Sequence, residues 1–259
     1  MASGVLLIVP EGVIVDSGFY AACAGLRAQS QALEVAAHNL ANLSTTGFCS
    51  QQPTFQSLLA VARPVVPNVL NLAINNFGVL EGTHLDLGAG NLQATGNPLD
   101  IGIEGTGFFA IQAPQGTRYT RNGSFRVART GQLVTESGNP VLGENGAPIR
   151  VPAGAVSISS DGTISVNSAI AGKIRLVEFP SDTRLVSDGD TLLRAPDGAG
   201  QSAKQTSVRQ GALESSNVNP IQAVMTVIGV QREAEMMQRA LTMFYSEFNR
   251  IAANDVPRV

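Results

Sequence analysis

The chain is poor in the residues that usually carry chemistry. Its 259 positions hold no tryptophan, three tyrosines, two cysteines and two histidines, and charged residues make up only 14% of it. Cys23 and Cys49 are the only thiols and form no CxxC pair, which excludes a zinc framework and a disulfide scaffold. Cys23 falls within a helical pattern, so a small buried thiol is its expected state. A net charge of −3 offers no general attraction to nucleic acid or to an anionic membrane. No apolar run approaches the roughly 20 residues of a membrane span. No Lys or Arg precedes Arg27, so the basic region of a cleaved secretory signal is missing.

Catalytic signatures are missing too. The sequence has no GxSxG elbow, no Walker A loop and no HExxH, the patterns that place a nucleophile, a phosphate cradle or a zinc pair. Gly102-x-x-Gly105-x-Gly107 has the wrong spacing for a dinucleotide fingerprint, and strand-type sequence follows it where a helix is required. His84 has Asp86 two residues on, but no further histidine completes a metal or acid–base group; His38 ends a helical pattern. These residues predict no catalytic site, no cofactor, no metal and no small-molecule substrate. Asn42-Leu43-Ser44 and Asn122-Gly123-Ser124 match the glycosylation sequon but read as turn chemistry.

What the chain does have is a helix pattern at each end. Phe19, Leu26, Leu33 and Leu40 recur every seven residues near the N-terminus. Val227, Ala234, Leu241 and Phe248 do the same near the C-terminus, with Val230, Met237, Phe244 and Ile251 beside them. A seven-residue apolar repeat makes a narrow stripe that another helix covers, so both ends are expected to form coiled coils. The first helix is predicted from Ser17 to about Asn42, ended by the run to Phe48 with Gly47 in the left-handed conformation. The second starts at Asn219, a good N-cap, with Pro220 at its first position. Met225, Ile228 and Met236 lie off the seam, which favours contacts with several neighbours. The helix pattern begins just after Val15, an expected alternative start of translation.

Between the ends, residues 88–211 hold 19 of the 27 glycines. Short apolar runs separated by turn signals about every ten residues indicate an antiparallel β domain. Strands are expected at Phe125–Val127 and Thr163–Val166 among others, with turns at Asn122-Gly123, Ser137-Gly138, Asn145-Gly146 and Asp161-Gly162. A three-residue loop over Asn122–Ser124 would pair Tyr119 with Val127 and gather the apolar residues on one face. The predicted fold is α+β: an antiparallel β domain inserted between long N- and C-terminal coiled-coil-forming helices. Its expected segments are an N-terminal extension (1–16), an N-terminal axial helix and exit turn (17–48), an extended connector (49–87), the β domain (88–216) and a C-terminal axial helix (217–259).

Three stretches together resemble the flagellar basal-body rod and hook family of bacterial axial proteins. The first is His38-Asn39-Leu40-Ala41-Asn42 running into Thr46-Gly47-Phe48. The second is Thr95-Gly96-Asn97-Pro98-Leu99-Asp100 through Gly105-x-Gly107-Phe108-Phe109, with Tyr119-Thr120-Arg121-Asn122-Gly123-Ser124-Phe125 after it. The third is Leu213-Glu214-x-Ser216-Asn217-Val218-Asn219. Length favours the rod subfamily over the hook, and Glu247-Phe248-Asn249-Arg250 leans toward its proximal type. The resemblance implies a structural rod subunit, not an enzyme, that transmits torque between motor and hook. It implies passage through type III export machinery without a cleaved signal and a place in the basal body, spanning the periplasm. Other axial rod and hook proteins and copies of the chain itself are the implied partners, with no nucleic acid and no membrane insertion. Phe19, Leu26, Leu33, Leu40, Val227, Val230, Met237, Leu241, Phe244 and Phe248 become the assembly positions. Asn39, Asn42, Thr46, Gly47 and Phe48 become the helix-exit motif. Gly96, Asn97, Pro98, Leu99, Asp100, Tyr119, Asn122, Gly123 and Phe125 become the β-domain motif. A secreted coiled-coil adhesin or surface structural protein is the alternative.

Overall fold

A computed structural model describes residues 12–56 and 79–255. Most of the expected N-terminal extension (1–11) and the centre of the expected connector (57–78) lie outside the described residues. The chain divides into two compact units: one of Met1–Ala37, Pro53–Thr83 and Val224–Val259, the other of His38–Gln52 and His84–Ala223.

Helix α1 spans Gly12–Ala41 and helix α2 spans Pro220–Asp255. The start of α2 is set locally. Asn219 Oδ1 accepts the amides of Ile221 (3.0 Å) and Gln222 (3.1 Å), satisfying donors that the first helical turn leaves free. Along α2, Ala223 is buried and Val227, Val230, Ala234, Met237 and Leu241 are half-buried, while Met225, Ile228, Met236 and Met243 are exposed. Gln29 Nε2 of α1 donates to Glu233 Oε2 of α2 at 3.0 Å.

The expected fold class needs correction. The described residues show one helix at each end and a mostly β middle, and no coiled coil. On α1 the leucines Leu26, Leu33 and Leu40 are only half-buried, whereas Gly25, Ala28, Ala32, Val35 and Ala36 are buried. Small side chains permit the closest approach to a helix surface, so the Gly/Ala face is the one covered. The leucine repeat therefore fills no set of facing holes, which is the geometry a coiled coil requires. Cys23, expected to be buried, is exposed.

The β region is also divided among several small sheets. Strands β1 (Gln51–Gln56) and β2 (Val79–Leu85) pair with each other. There follow β3 (Leu92–Ala94), β4 (Ile101–Glu104), β5 (Phe108–Ala113), β6 (Gly116–Thr120), β7 (Phe125–Val127) and β8 (Leu133–Thr135). Then come β9 (Val156–Ile158), β10 (Thr163–Val166), β11 (Ala169–Lys173), β12 (Leu176–Glu178), β13 (Val186–Ser187) and β14 (Leu193–Arg194). The last are β15 (Gln201–Ser202), β16 (Ser207–Gln210) and β17 (Ala212–Glu214). The largest sheet has the order β13-β14-β6-β5-β12-β15. Strands β9, β10 and β11 form a three-stranded meander; β7 pairs β8, β16 pairs β4 and β17 pairs β3, all antiparallel.

The expected pairing of Tyr119 with Val127 is not formed. Tyr119 opposes Ala110 and Leu193, and Phe125 opposes Thr135. Asn122-Gly123 instead carries the chain past β4, where the Gly123 carbonyl accepts the Ile101 amide at 3.0 Å. The main core gathers inward-facing residues of several sheets, among them Ile101, Ile103, Phe109, Ile111, Phe125, Leu133, Ile164, Ile174 and Val208. Phe109 and Phe125 meet edge-on with ring centroids 5.1 Å apart, a favoured aromatic geometry.

Candidate assembly site at the helix exit

After Ala41 the chain leaves α1 through a tight, self-bonded turn. Asn42 Nδ2 donates to the His38 carbonyl (2.8 Å), and Asn42 Oδ1 accepts the Thr45 hydroxyl (3.0 Å). Asn residues favour such turns because their side chains bond nearby backbone. Asn39, two residues before the end of the helix, bonds the backbone of Gln51 with both its amide oxygen and its nitrogen. Thr46 Oγ1 donates to Asn122 Oδ1 (3.0 Å), tying the turn to the chain segment after β6. Gly47 has φ +64°, and a Cβ there would stand 2.2 Å from the Asn122 amide nitrogen. Its left-handed conformation matches the expectation, but its main purpose is this close approach and not the helix stop, which lies six residues earlier. Phe48 is buried and its ring meets that of His38 edge-on at 5.4 Å.

Behind the turn lies a buried ion pair that sequence reasoning missed. Arg121 is 1% exposed and Glu214 2%. Arg121 Nε donates to both carboxylate oxygens of Glu214 (3.0 and 2.9 Å). Nη1 donates to the Gly107 carbonyl (3.1 Å) and Nη2 to the Gly105 carbonyl (2.9 Å), with the guanidinium 5.4 Å from the Phe108 ring centroid. Glu214 Oε1 also accepts the Gly90 amide (2.7 Å), and its backbone carbonyl accepts the Gly47 amide (2.8 Å). Buried charges persist only when paired and hydrogen-bonded in this way. Both residues stood inside quoted motifs, Tyr119–Phe125 and Leu213–Asn219, but nothing local told them from surface charges.

Asn217 completes the clasp. Its Oδ1 accepts the Ser50 amide (2.7 Å), and its Nδ2 donates to the carbonyls of Asp86 (2.9 Å) and Gly88 (3.0 Å). Cys49 sits within this packing, where burial pushes its thiol up to about 11 against the opposing pull of Arg121.

The β-domain motif is a second self-contained turn. Gly96, Asn97 and Pro98 are exposed, Leu99 is half-buried and Asp100 is buried. Thr95 Oγ1 and Asn97 Nδ2 donate to the two Asp100 oxygens (2.7 and 2.8 Å), and the Asp100 carbonyl accepts the Gly211 amide (2.8 Å). Of the assembly positions, Leu26, Leu33, Leu40, Val227, Val230, Met237 and Leu241 are half-buried. The side chains of Phe19, Phe244 and Phe248 lie outside the described residues.

Beside the exit turn an open cleft of about 390 Å³ is lined by His38, Phe48, Leu85, Glu136 and Asp190 among others. Its carboxylates are engaged by hydroxyls: Glu136 by Ser124 Oγ (3.0 Å) and Asp190 by Ser137 Oγ (3.1 Å). Asp86, paired with His84 in sequence, turns its Oδ1 to the Gly88 amide (2.9 Å). Among the described residues no group of three or more His, Cys, Asp or Glu could hold a metal ion, and no helix is long and apolar enough to cross a membrane.

Comparison with known proteins gives matches that overlap each of the three stretches quoted from the sequence. Residues 19–48 match the family "Flagella basal body rod protein", residues 102–166 the "Flagellar hook protein FlgE/F/G D1 domain", and residues 209–244 the "Flagellar basal body rod FlgEFG protein C-terminal". The clasp takes one backbone or side-chain partner from each: Gly47, Arg121 and Glu214. A flagellar basal-body rod protein FlgF of Salmonella typhimurium is 36% identical, over 88% of this chain and 94% of its own. A FlgF of Caulobacter vibrioides is 30% identical over 88% and 93%. A rod protein FlgG of Borreliella burgdorferi is 32% identical over 86% and 92%. With likeness at that level along nearly the full length of these relatives, the chain belongs to the flagellar basal-body rod protein family.

Proposed function

We propose that this chain is a structural subunit of the bacterial flagellar basal-body rod, built in beside other rod and hook proteins and copies of itself. Membership of a family of rod proteins makes it a structural component and not an enzyme, and it disfavours the adhesin alternative. The observation that carries the reading is the match to rod proteins along almost the whole chain, both terminal helices included.

Exposed apolar residues on α2 support a role for the helical ends in assembly. Ile221, Met225, Met236 and Met243 are each more than 60% exposed, an arrangement expected of surface that neighbours cover. Phe19, Leu26, Leu33, Leu40, Val227, Val230, Met237, Leu241, Phe244 and Phe248 are proposed as contact positions, with the β unit setting the outer contacts between subunits. Export by the flagellar type III route, a site spanning the periplasm and torque transmission from motor to hook complete the reading. The proximal type is proposed on the stretch Glu247-Phe248-Asn249-Arg250 alone, since FlgF and FlgG relatives match at overlapping identities.

Mass spectrometry of purified hook–basal bodies from the source cells tests the assignment, and finding this chain there is the expected result. Leu241→Asp is expected to abolish incorporation while the β unit stays folded. Incorporation at the normal level would remove α2 from the assembly surface.

A further inference from the structure

The glycine run Gly102-x-x-Gly105-x-Gly107 serves no nucleotide, yet its place in the fold is specific. A Cβ at Gly107 would lie 2.6 Å from Thr206 Cγ2 and one at Gly105 2.9 Å from the Gln205 carbonyl, whereas one at Gly102 would meet Leu92 Cδ2 at 2.4 Å. Gly90 extends the row, since a Cβ there would fall 1.9 Å from the Ser215 carbonyl. Gly90, Gly105 and Gly107 thus face one late segment of the chain, residues 205–215. Glycine is the residue that lets two backbones come this close.

That segment is sewn in along its whole length. Strand β16 pairs β4 from Ser207↔Glu104 to Gln210↔Ile101, and β17 pairs β3 from Ala212↔Ala94 to Glu214↔Leu92. Among the described residues, β3 and β4 have no other ladder partner. Val208 joins Ile101 and Ile103 in the main core. Glu214 supplies the only carboxylate bonded to the Arg121 guanidinium among the described residues, and Asn217 holds Ser50. Without this segment, Arg121 would be a buried cation without a counter-charge, and β3 and the buried strand β4 would lack ladder partners. Both conditions are strongly unfavourable.

We propose that residues 205–217 form a closing latch: strands β3 and β4 and the N-terminal helix exit become ordered only when this late segment docks into the glycine-lined seat and Glu214 meets Arg121. The contacts it closes include pairs 93 residues apart (Arg121 and Glu214) and 167 apart (Ser50 and Asn217), so they form late for loop-closure reasons as well. A chain delivered from its N-terminus thus stays open, with β3, β4 and the exit turn unformed, until all but about its last forty residues have emerged. The proposal rests on the fold alone and stands whether or not the rod assignment holds.

Pulse-labelled hydrogen exchange during refolding of the unaltered full-length chain tests it. Amides at 47–51, 92–95 and 101–104 are expected to become protected in the same kinetic phase as those at 207–215. Protection of the first three groups in an earlier phase than 207–215 would overturn the latch. Two full-length variants give a second reading at equilibrium. Glu214→Gln removes the charge at nearly constant shape, and Gly90→Ala blocks the seat while leaving both charges in the chain. Each is expected to speed exchange at 47–51 and 92–95 by roughly tenfold to a hundredfold, the loss of one charge-assisted or buried hydrogen bond, with the β7–β8 hairpin (125–135) unchanged. Acceleration confined to 212–215 would count against the proposal. Should either variant fail to fold, the refolding experiment on the unaltered chain decides alone.

Discussion

Asn39 and Gln51 exchange two hydrogen bonds across the helix-exit turn: Asn39 Nδ2 donates to the Gln51 carbonyl at 2.7 Å, and Asn39 Oδ1 accepts the Gln51 amide at 2.8 Å. One side chain thereby acts as the missing neighbouring strand for one residue of β1. Asn39→Ala leaves a partly buried donor and acceptor unpaired and is expected to destabilise by about 1–3 kcal/mol. Urea unfolding followed by circular dichroism should show a lower midpoint at unchanged slope. Asn39→Asp keeps the acceptor and should recover part of the loss; an Asn39→Ala midpoint equal to wild type would show the pair to be idle.

Arg121 and Glu214 should behave as a unit. Removing one partner alone leaves a buried charge, at a cost of about 3–5 kcal/mol, whereas apolar replacement of both is far milder. In a double-mutant cycle of Arg121→Met and Glu214→Leu, the double variant is expected to be more stable than either single one. Additive losses would show that the two charges do not depend on each other.

The two thiols should differ sharply in reactivity. With its thiol pushed up to about 11 and buried, Cys49 is only about a thousandth thiolate near pH 8. Iodoacetamide at pH 8 should label the exposed Cys23 quickly and Cys49 only after unfolding in guanidinium. Equal labelling of both in the native chain would show the exit turn to be open.

Glu178 anchors the entry to the latch. The Thr206 hydroxyl (2.6 Å) and then the Gln205 amide (3.1 Å) donate to its Oε1 and lower its pKa below the usual 4.5, against an opposing contribution from burial. A carboxyl depressed on folding stabilises fully above its unfolded value, and that contribution is lost as pH falls through the folded one. NMR shifts of the Gln205 amide should therefore titrate with a midpoint below 4.5, and Glu178→Gln should abolish that step. A midpoint at or above 4.5 would show that these hydrogen bonds do not favour the charged form.

Local chemistry was readable and long-range pairing was not. The Asn219-Pro220 start of α2 and the strands Phe125–Val127 and Thr163–Val166 fall where the sequence placed them, because caps, turns and alternation are written in adjacent residues. Ser137-Gly138, Asn145-Gly146 and Asp161-Gly162 put glycine in the left-handed region as turn signals should. Asn122-Gly123 misled because the same dipeptide serves contact with Ile101, far away in the chain. Strands of three or four residues such as β3 and β17 carry almost no periodicity, so their pairing was invisible. On α1 the leucine repeat drew attention from the Gly/Ala face, since a hydrophobic pattern weighs side-chain size where close packing rewards its absence. In the candidate site, the turn residues Asn39, Asn42 and Gly47 were legible as a motif, whereas the ion pair behind them was legible only as two unremarked charges.

The exposed methionines of α2 have a further use. Met225, Met236 and Met243 are separated by 11 and 7 residues, close to whole numbers of helical turns, so they stand in one line over about 27 Å. That line lies opposite the half-buried stripe of Val227, Ala234 and Leu241. Thioethers oxidise readily when water and peroxide reach them and are spared when covered. Three of them along one edge make a built-in ruler: peroxide footprinting of free and incorporated subunits would report, turn by turn, how far along α2 a neighbour reaches.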